Sequence, residues 1–278
     1  MQRSGKPHVL SLLCCGLTTA SALFLAPLGA QSADSSNSTP VDPVTTPTVT
    51  HKIETGVTYS RGDYGLNEDT EVLVVPFTYT LEFGEATLRA TAPWLHVSGP
   101  ASVINGGASG GGPSRPNADS TSGLGDSSLG LSYHFNPVPD EWNIDGTVRV
   151  KFPTGDEDRG LGTGEMDYYG QLDFYRVYGK FVPFGVVGYR VLGDGRYQLD
   201  DGLYATLGNV FILGGGRSLA VSLDWRDALS AGADDSLESG IYLITRHSEH
   251  WSSTVGGLVG FTDASPAYGL SGSVGYTF

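Results

Sequence analysis

The chain ends in the sequence SGSVGYTF, which runs from Ser271 to the terminal Phe278. Small or polar residues alternate with apolar ones at a period of two, the period of a β-strand with two unlike faces. The closing strand of an outer-membrane β-barrel has this pattern, because one face meets lipid and the other a wet lumen. The alternative is the last strand of a soluble sheet, and the rest of the chain bears on this choice.

The N-terminus has the layout of a cleaved secretory signal peptide. Two basic residues, Arg3 and Lys6, precede a mostly apolar run over residues 9–26, and small residues follow it. We therefore assign residues 1–32 to a signal peptide. Both cysteines of the chain lie within it, so we expect no disulfide and no thiolate chemistry in the mature protein.

Residues 33–50 are rich in Ser, Thr, Pro and Asp and have almost nothing to bury, which predicts a disordered periplasmic tether. Without the two basic residues of the signal peptide, the chain keeps 14 basic against 30 acidic residues, a net charge of −16. This charge argues against nucleic acid as a partner. No later run of about 18 apolar residues exists, which excludes a helical membrane protein.

Twelve segments with the periodicity of β-strands follow the tether. Each is long enough for a tilted membrane strand of about 9–11 residues. The segments are 51–60, 71–83, 85–96, 122–136, 140–153, 164–178, 179–193, 198–212, 216–229, 236–247, 249–262 and 266–278. The seventh, eighth and eleventh of them are ambiguous in the phase of their alternation.

The connections between these segments alternate in length. Those after odd-numbered segments are mostly longer or rich in Gly and Asp, whereas those after even-numbered segments are tight turns such as Tyr178-Gly179. Bacterial barrels have long external loops, short periplasmic turns and an even number of strands. We therefore predict an all-β fold for residues 51–278, a transmembrane antiparallel up-and-down β-barrel of about 12 strands in the bacterial outer membrane.

Charged residues of such a barrel belong in its lumen, because an Arg or Lys on the lipid face costs about 2–4 kcal/mol at the midplane. The candidate lumen-lining residues are Glu82, Arg89, Asp145, Arg149, Lys151, Asp173, Asp224 and Arg226. They could line a permeation path or form salt bridges that fill a narrow barrel, and the sequence favours neither. The expected partners are outer-membrane lipid, the barrel-assembly machinery and an unidentified small-molecule solute.

Three short motifs lie around the fourth, fifth and sixth segments. The sequence GLGD occupies 123–126, KFPTGD occupies 151–156, and LGTG occupies 161–164 and is followed by Asp167. Together they resemble the outer-membrane β-barrel family named for the meta-pathway of phenol degradation, whose members are described as transporters. The motif residues at the predicted rim are Gly125, Asp126, Pro153, Thr154, Gly155, Asp156, Gly162, Gly164 and Asp167.

The resemblance implies a passive transporter of small molecules, with hydrophobic or aromatic compounds as the candidate solutes. The alternative is a barrel that conducts nothing and serves as a structural or surface-interaction protein, with the loop at 97–121 as its working part. The motifs cover roughly residues 120–176, and the strand pattern continues to Phe278.

Nothing in the sequence indicates catalysis, a cofactor or a metal. Ser132 and His134 share a strand face, but a hydrolase also needs a polar group that orients the histidine, and none can be identified. The acidic residues of the motif region, Asp156, Glu157, Asp158, Glu165 and Asp167, could form a cation site. Their spacing matches no compact calcium loop, so a solvated acidic loop is the prediction.

The last strand gives the sharpest prediction of orientation. We expect Phe278, Tyr276, Val274 and Leu270 to face lipid, and Thr277, Gly275, Ser273 and Ser271 to face the lumen. A slip of one residue would turn the apolar set inward. The strand must also pair with residues 51–60, because an open edge in lipid leaves backbone groups without hydrogen bonds at several kcal/mol each.

Overall fold

A computed structural model of the chain describes residues 49–101, 103–104, 107–108, 120–135, 142–193 and 195–278. The predicted signal peptide and nearly all of the predicted tether lie outside this part, which begins at Val49. No helix within the described ranges is long and apolar enough to cross a membrane.

Fifteen strands form in the described part of the chain. They are β1 (Val49–Gly62), β2 (Thr70–Phe83), β3 (Ala86–Ser98), β4 (Val103–Ile104), β5 (Gly107–Ala108), β6 (Thr121–Leu124), β7 (Ser127–Phe135), β8 (Asn143–Phe152), β9 (Asp167–Tyr175), β10 (Phe181–Val191), β11 (Gly202–Gly214), β12 (Arg217–Arg226), β13 (Ser236–Arg246), β14 (Trp251–Gly260) and β15 (Tyr268–Thr277). The pair β4–β5 forms a separate two-stranded sheet, and the other strands share one antiparallel sheet.

Strands β6 and β7 are two halves of one barrel strand, since both pair with β3. Gly125 and Asp126 interrupt it, and the register against β3 shifts by one residue between the pairs Thr91–Ser128 and Trp94–Leu124. Such a bulge re-aims side chains at a barrel rim. Counted in this way the barrel has twelve strands, as the sequence predicted.

The barrel closes between its first and last strands. Strand β15 pairs with β1 from Lys52 opposite Thr277 to Arg61 opposite Tyr268. No edge is therefore left open in lipid, which is the condition for a sheet to span a membrane. This closure confirms the predicted pairing of the terminal segment with residues 51–60.

Connections of two kinds separate the strands and define the two ends of the barrel. Longer loops at 63–69, 99–120, 153–166, 192–201, 227–235 and 261–267 lie at one end, here called the loop end. Short turns at 84–85, 176–180, 215–216 and 247–250, and the connection from β7 to β8, lie at the other, here called the turn end, together with the start of β1 and the C-terminus. This alternation is that of outer-membrane barrels.

The outer surface of the barrel is apolar and its inner surface largely polar. Leu207 and Val148 on the outside are 63% and 61% exposed, whereas inward-facing Asp145 and Asp173 are fully buried. A closed barrel with this distribution spans a membrane, and the bacterial outer membrane is where such barrels reside.

The last strand has the predicted orientation. Leu270, Val274 and Phe278 are exposed on the outer surface. The ring of Tyr276 lies 4.9 Å from that of Trp251 and 5.2 Å from that of Phe278, centroid to centroid, on the same surface. The opposite face is turned to the lumen, since a Cβ added to inward-facing Gly275 would lie 2.7 Å from the Lys52 side chain.

Deletion of Phe278 should impair assembly of the barrel and leave secretion intact. The backbone N–H of Phe278 donates to the carbonyl of His51 at 2.8 Å, beyond the last ladder pair of β1 and β15. The deletion removes this hydrogen bond and an aromatic ring from the closing seam. Fractionation and heat-modifiable gel migration would measure the assembled protein, with Phe278→Tyr as the aromatic control. Wild-type outer-membrane levels of the deletion variant would contradict the expectation.

Candidate functional site

A buried charge network at the loop end joins the three sequence motifs. Lys151, at the end of β8, is 2% exposed. Its Nζ lies 2.8 Å from Asp126 Oδ2 and 2.9 Å from Asp167 Oδ2, and it also donates to Thr163 Oγ1. One cation is thus held by a carboxylate from each of the two barrel strands that flank β8 and by a loop hydroxyl. Residues from each of the three motifs meet at this point.

Asp126 also fixes the loop 153–166 through its backbone. Its Oδ1 accepts the N–H of Gly155 at 3.0 Å, and its Oδ2 accepts the N–H of Thr163 at 3.2 Å. Glycine is required at 162, because a Cβ there would lie 2.3 Å from Asp126 Oδ1. This one carboxylate thus anchors the loop to the rim at two points.

The remaining motif residues lie around this network. Thr154 Oγ1 donates to the carbonyl of Gly125 at 2.9 Å and accepts the N–H of Ser127 at 2.8 Å. Gly164 has a φ of 76°, a left-handed conformation that favours glycine. Pro153 and Asp156 are exposed at the start of the loop.

The acidic residues of the same loop do not gather around a common point. Glu157 and Asp158 form ion pairs with Arg196 of the loop 192–201, at 3.2 and 2.8 Å, whereas Asp167 belongs to the Lys151 network. Across the part of the chain that the structure describes, no group of three or more His, Cys, Asp or Glu is placed to hold a metal ion. The acidic side chains connect loops to one another and to the rim.

Two further cations hold the loop end together. Arg226 of β12 forms an ion pair with Glu238 of β13 and donates to Ser236 Oγ at 2.7 Å. Arg190 of β10 donates to the backbone carbonyls of Asp227 and Ala228, in the loop 227–235 between β12 and β13. The loop 227–235 is thereby drawn towards the barrel mouth.

Apolar loop side chains also fold into the mouth and form two clusters. The β2–β3 cluster contains Tyr64, Val72, Val74, Leu95, Val97, Ala101 and Leu161. The β9–β11 cluster contains Tyr169, Val186, Leu192, Leu199, Tyr204 and Leu229. Burial raises the pKa of the Tyr64 phenol, which stays neutral.

Arg196, by contrast, is exposed in its loop, and its hydrogen bond to Asp158 raises the pKa of the guanidinium group.

A third apolar cluster lies inside the barrel near the turn end. This turn-end cluster contains Tyr175, Val182, Phe184, Val210, Ala220, Tyr242 and Ile244, from β9 to β13. The aromatic rings lie flat on glycines of neighbouring strands: a Cβ on Gly208 would lie 2.3 Å from the Phe184 ring, and one on Gly256 would lie 2.3 Å from that of Tyr242. One side of the interior is thus occupied by large side chains.

The opposite side of the interior is lined mostly by small residues, together with Leu258 and the Lys52–Glu54 pair. The inward positions of β14, β15 and β1 include Ser252, Thr254, Gly256, Ser271, Ser273, Gly56 and Thr58. Several of them, including Gly56, Ser271 and Ser273, are partly exposed although they face inward.

The predicted lumen-lining residues occupy inward positions. These are Glu82, Arg89, Asp145, Arg149, Lys151, Asp173, Asp224 and Arg226. Two of the buried carboxylates are hydrogen-bonded to neutral donors: Gln171 Nε2 lies 2.9 Å from both oxygens of Asp173, and Asp224 accepts from Thr206 and Ser222 at 2.7 and 2.8 Å. Arg89 and Arg149, by contrast, are partly exposed to the lumen.

The structure supplies a partner for His134 that the sequence did not identify. His134 Nδ1 is hydrogen-bonded to Asp145 on the neighbouring strand β8. Ser132 Oγ, however, is bonded to Thr147 Oγ1 at 2.8 Å, and His134 Nε2 is buried with no partner among the described residues. The serine and histidine are therefore not coupled as a nucleophile and its base.

Several inward charges escaped the sequence prediction. Lys52 and Glu54 form a 2.7 Å ion pair on β1. They occupy alternate positions on the same face as Thr58, and this alternation could have indicated that they point inward. Arg190 lies on β10, where apolar residues occupy both faces and hide the alternation. Glu238 was likewise missed, although it occupies the same face as Ser236 on β13.

Comparison with known proteins identifies the class of fold. No family model and no curated protein matches the chain. An outer-membrane channel from Pseudomonas putida F1 superposes with a TM-score of 0.63 at 16% identity, over 86% of this chain and 100% of that one. The translocator domain of the autotransporter NalP from Neisseria meningitidis gives a TM-score of 0.51 at 12% identity, over 85% and 90%. The chain has the fold of a twelve-stranded outer-membrane β-barrel.

Proposed function

We propose that this barrel is a passive channel through which small molecules with an apolar or aromatic part cross the outer membrane. The observation that carries the proposal is the division of the interior. One wall, from β14 through β15 to β1, bears mostly small residues, whereas the wall opposite bears large ones. A purely structural barrel of this width would gain stability from larger side chains on the first wall.

The other wall supports the choice of solute. Tyr169, Tyr204 and Phe184 make the wall opposite the small residues aromatic. Ligand-binding surfaces of proteins are mostly apolar with a few placed polar groups, and this interior combines the two. The family resemblance of the motifs points to the same class of solute, and the similar structure from P. putida is described as a channel.

The proposal includes the route to the membrane. Residues 1–32 act as the export signal, the predicted tether up to the start of β1 at Val49 lies on the periplasmic side, and the barrel-assembly machinery inserts the strands. Lipid then contacts the apolar outer surface.

The second candidate is a non-conducting structural or surface-interaction barrel. It is favoured by the mouth, where the β2–β3 and β9–β11 clusters and the Lys151 network fold loops inward over the lumen. Most of the loop 97–121, its working part in that hypothesis, lies outside the described residues.

Uptake of a labelled aromatic compound by a deletion strain, with and without the restored gene, separates the two candidates. A channel predicts faster uptake with the gene for at least one of several compounds. Ser273→Trp should abolish the gain, because this residue faces the lumen from the wall of small residues, whereas Val274→Trp, one residue away on the lipid face, should keep it. Equal uptake with and without the gene over all compounds would favour the interaction protein.

A further inference from the structure

We infer that the lumen is built to carry a small organic anion, a carboxylate attached to an apolar body, along a row of cationic side chains. This inference rests on the proposed function, because it names the chemical class of the solute that the channel would pass. It follows from the register of the strands, which places one basic residue on every second strand over half of the barrel.

The row can be followed through the pairing of the sheet. Each basic residue is joined to the next through one residue of the strand between them. Thr80 is opposite both Lys52 and Arg89. In the same way Gly130 joins Arg89 to Arg149, and Tyr169 joins Arg149 to Arg190. All of these residues occupy inward positions. Neighbouring strands are about 4.8 Å apart, so the Cα atoms of successive basic residues in this row are about 10 Å apart.

The row crosses the length of the lumen. Barrel strands are tilted by about 35–45°, so a row perpendicular to the strands climbs along the barrel axis. Lys52 lies near the start of β1 at the turn end, and Arg190 lies near the end of β10 at the loop end. Arg89 and Arg149 lie between them, so the row extends from one mouth to the other, with Lys52 paired with Glu54 at its turn end.

The two central arginines are the accessible ones. Arg89 and Arg149 are partly exposed, whereas Lys52 and Arg190 are 8% and 5% exposed. The guanidinium carbon of Arg149 lies 3.8 Å from the ring centroid of Tyr169. Among the residues that the structure describes, no ion pair within 4.0 Å involves Arg149. Its charge is therefore supported by a ring face and is not neutralised by a carboxylate.

The lumen carboxylates are mostly withdrawn from solvent. A second row pairs Asp145 with Asp173, and further along the same row Asp224 with Glu238. These four residues are 0%, 0%, 7% and 4% exposed, and each holds at least one hydrogen bond described above. Two inward carboxylates are partly exposed: Glu82 on β2, diagonal to Arg89, and Glu54 on β1, which is paired with Lys52. The charge that a solute meets at mid-lumen is therefore predominantly cationic.

The surroundings of Arg149 define the rest of the solute. A guanidinium group binds a carboxylate through two parallel hydrogen bonds, a geometry that a single ammonium group does not offer. Tyr169 under Arg149, and Tyr204 next to it in the β9–β11 cluster, make the wall around the guanidinium aromatic, which suits an apolar body on the solute. The acidic loops outside the barrel oppose an anion, but salt screens such surface charges beyond about 8 Å at physiological ionic strength.

Tracer uptake into proteoliposomes tests the inference with two solutes of the same size. Hippurate is an aromatic carboxylate, and hippuramide is its neutral amide. The purified barrel is reconstituted with potassium chloride buffer on both sides and valinomycin, so that no potential opposes the anion, and uptake by empty vesicles is subtracted. Hippurate should enter at least fivefold faster than hippuramide.

Arg149→Gln should reduce hippurate entry to the rate of hippuramide and leave hippuramide entry unchanged. Arg149→Lys should retain part of the preference, because it keeps the charge and loses the paired hydrogen bonds. Arg217→Gln, which removes an equal charge at the exposed turn end of β12, should behave as wild type. Equal entry of the two solutes, or an Arg149→Gln variant with the wild-type preference, would overturn this inference but not the proposed channel. Entry of neither solute above empty vesicles would overturn the proposed channel as well.

Discussion

Replacement of Lys151 by Met is expected to lower the free energy of unfolding by about 3–5 kcal/mol, as is typical when one partner of a buried ion pair is removed. The methionine fills most of the space of the lysine but leaves the carboxylates of Asp126 and Asp167 without their cation. These carboxylates also hold the loop 153–166 and the N–H of Gly193, so the mouth should loosen together with the wall.

Urea unfolding of the barrel in lipid vesicles, followed by tryptophan fluorescence, would measure this loss. Lys180→Met provides the control, because Lys180 is exposed in a turn and the same change there should cost little. Adding Asp126→Asn and Asp167→Asn to Lys151→Met should recover part of the stability, since it removes the uncompensated charges. An equal, small effect of Lys151→Met and Lys180→Met would show that the network contributes little.

Replacement of Leu207 by Arg is expected to lower the free energy of unfolding by about 2–4 kcal/mol, the cost of an arginine on the lipid face near the bilayer midplane. Leu207 lies in the middle of β11 and is 63% exposed on the outer surface. Leu213 is 54% exposed on the same strand but lies next to the turn 215–216. The same replacement there should cost only about 0–1 kcal/mol, because the guanidinium can reach the interface.

The comparison of the two leucine variants uses the same unfolding measurement in vesicles. A larger loss for Leu207→Arg than for Leu213→Arg is the signature of a membrane that surrounds the strand, since in water neither exposed position would resist an arginine. Equal losses at the two positions would contradict the assignment of this surface to lipid.

The strands and their closure could be predicted from the sequence for a physical reason. In a barrel with lipid outside and water inside, each strand must alternate apolar and polar side chains, and this alternation fixes both its identity and its orientation. The terminal strand shows it most clearly, and its pairing with β1 follows from the need to close the edge. All twelve barrel strands lie close to the predicted segments.

The alternation fails where the lumen itself is apolar. On β10, Val182, Phe184 and Val186 face inward into the turn-end and β9–β11 clusters, so apolar residues occupy both faces of the strand. The phase of this segment could not be read from the sequence, and Arg190 was missed with it. A lumen lined only by polar residues would have kept the alternation of apolar and polar residues along this strand.

The network at the rim could be predicted only in part. The motifs indicated that glycines and aspartates cluster near the loop end, but not that Lys151 joins Asp126 to Asp167. That contact depends on the loop 153–166 folding inward, which buries Leu161 against the β2–β3 cluster. A loop that follows no repeating pattern leaves no periodic signal from which its path could be predicted.

Disulfide formation across the seam between β1 and β15 tests the closed barrel most directly. Thr58 and Ser271 are directly opposite and both face inward, and the predicted mature chain has no cysteine of its own. Thr58→Cys with Ser271→Cys should form an intramolecular disulfide in protein fractionated with outer membranes. Thr58→Cys with Ser273→Cys should not, because two residues of offset place the Cα atoms more than about 7 Å apart, beyond the reach of a disulfide. Recovery of the processed chain as a soluble periplasmic protein, with neither pair linked, would contradict the barrel.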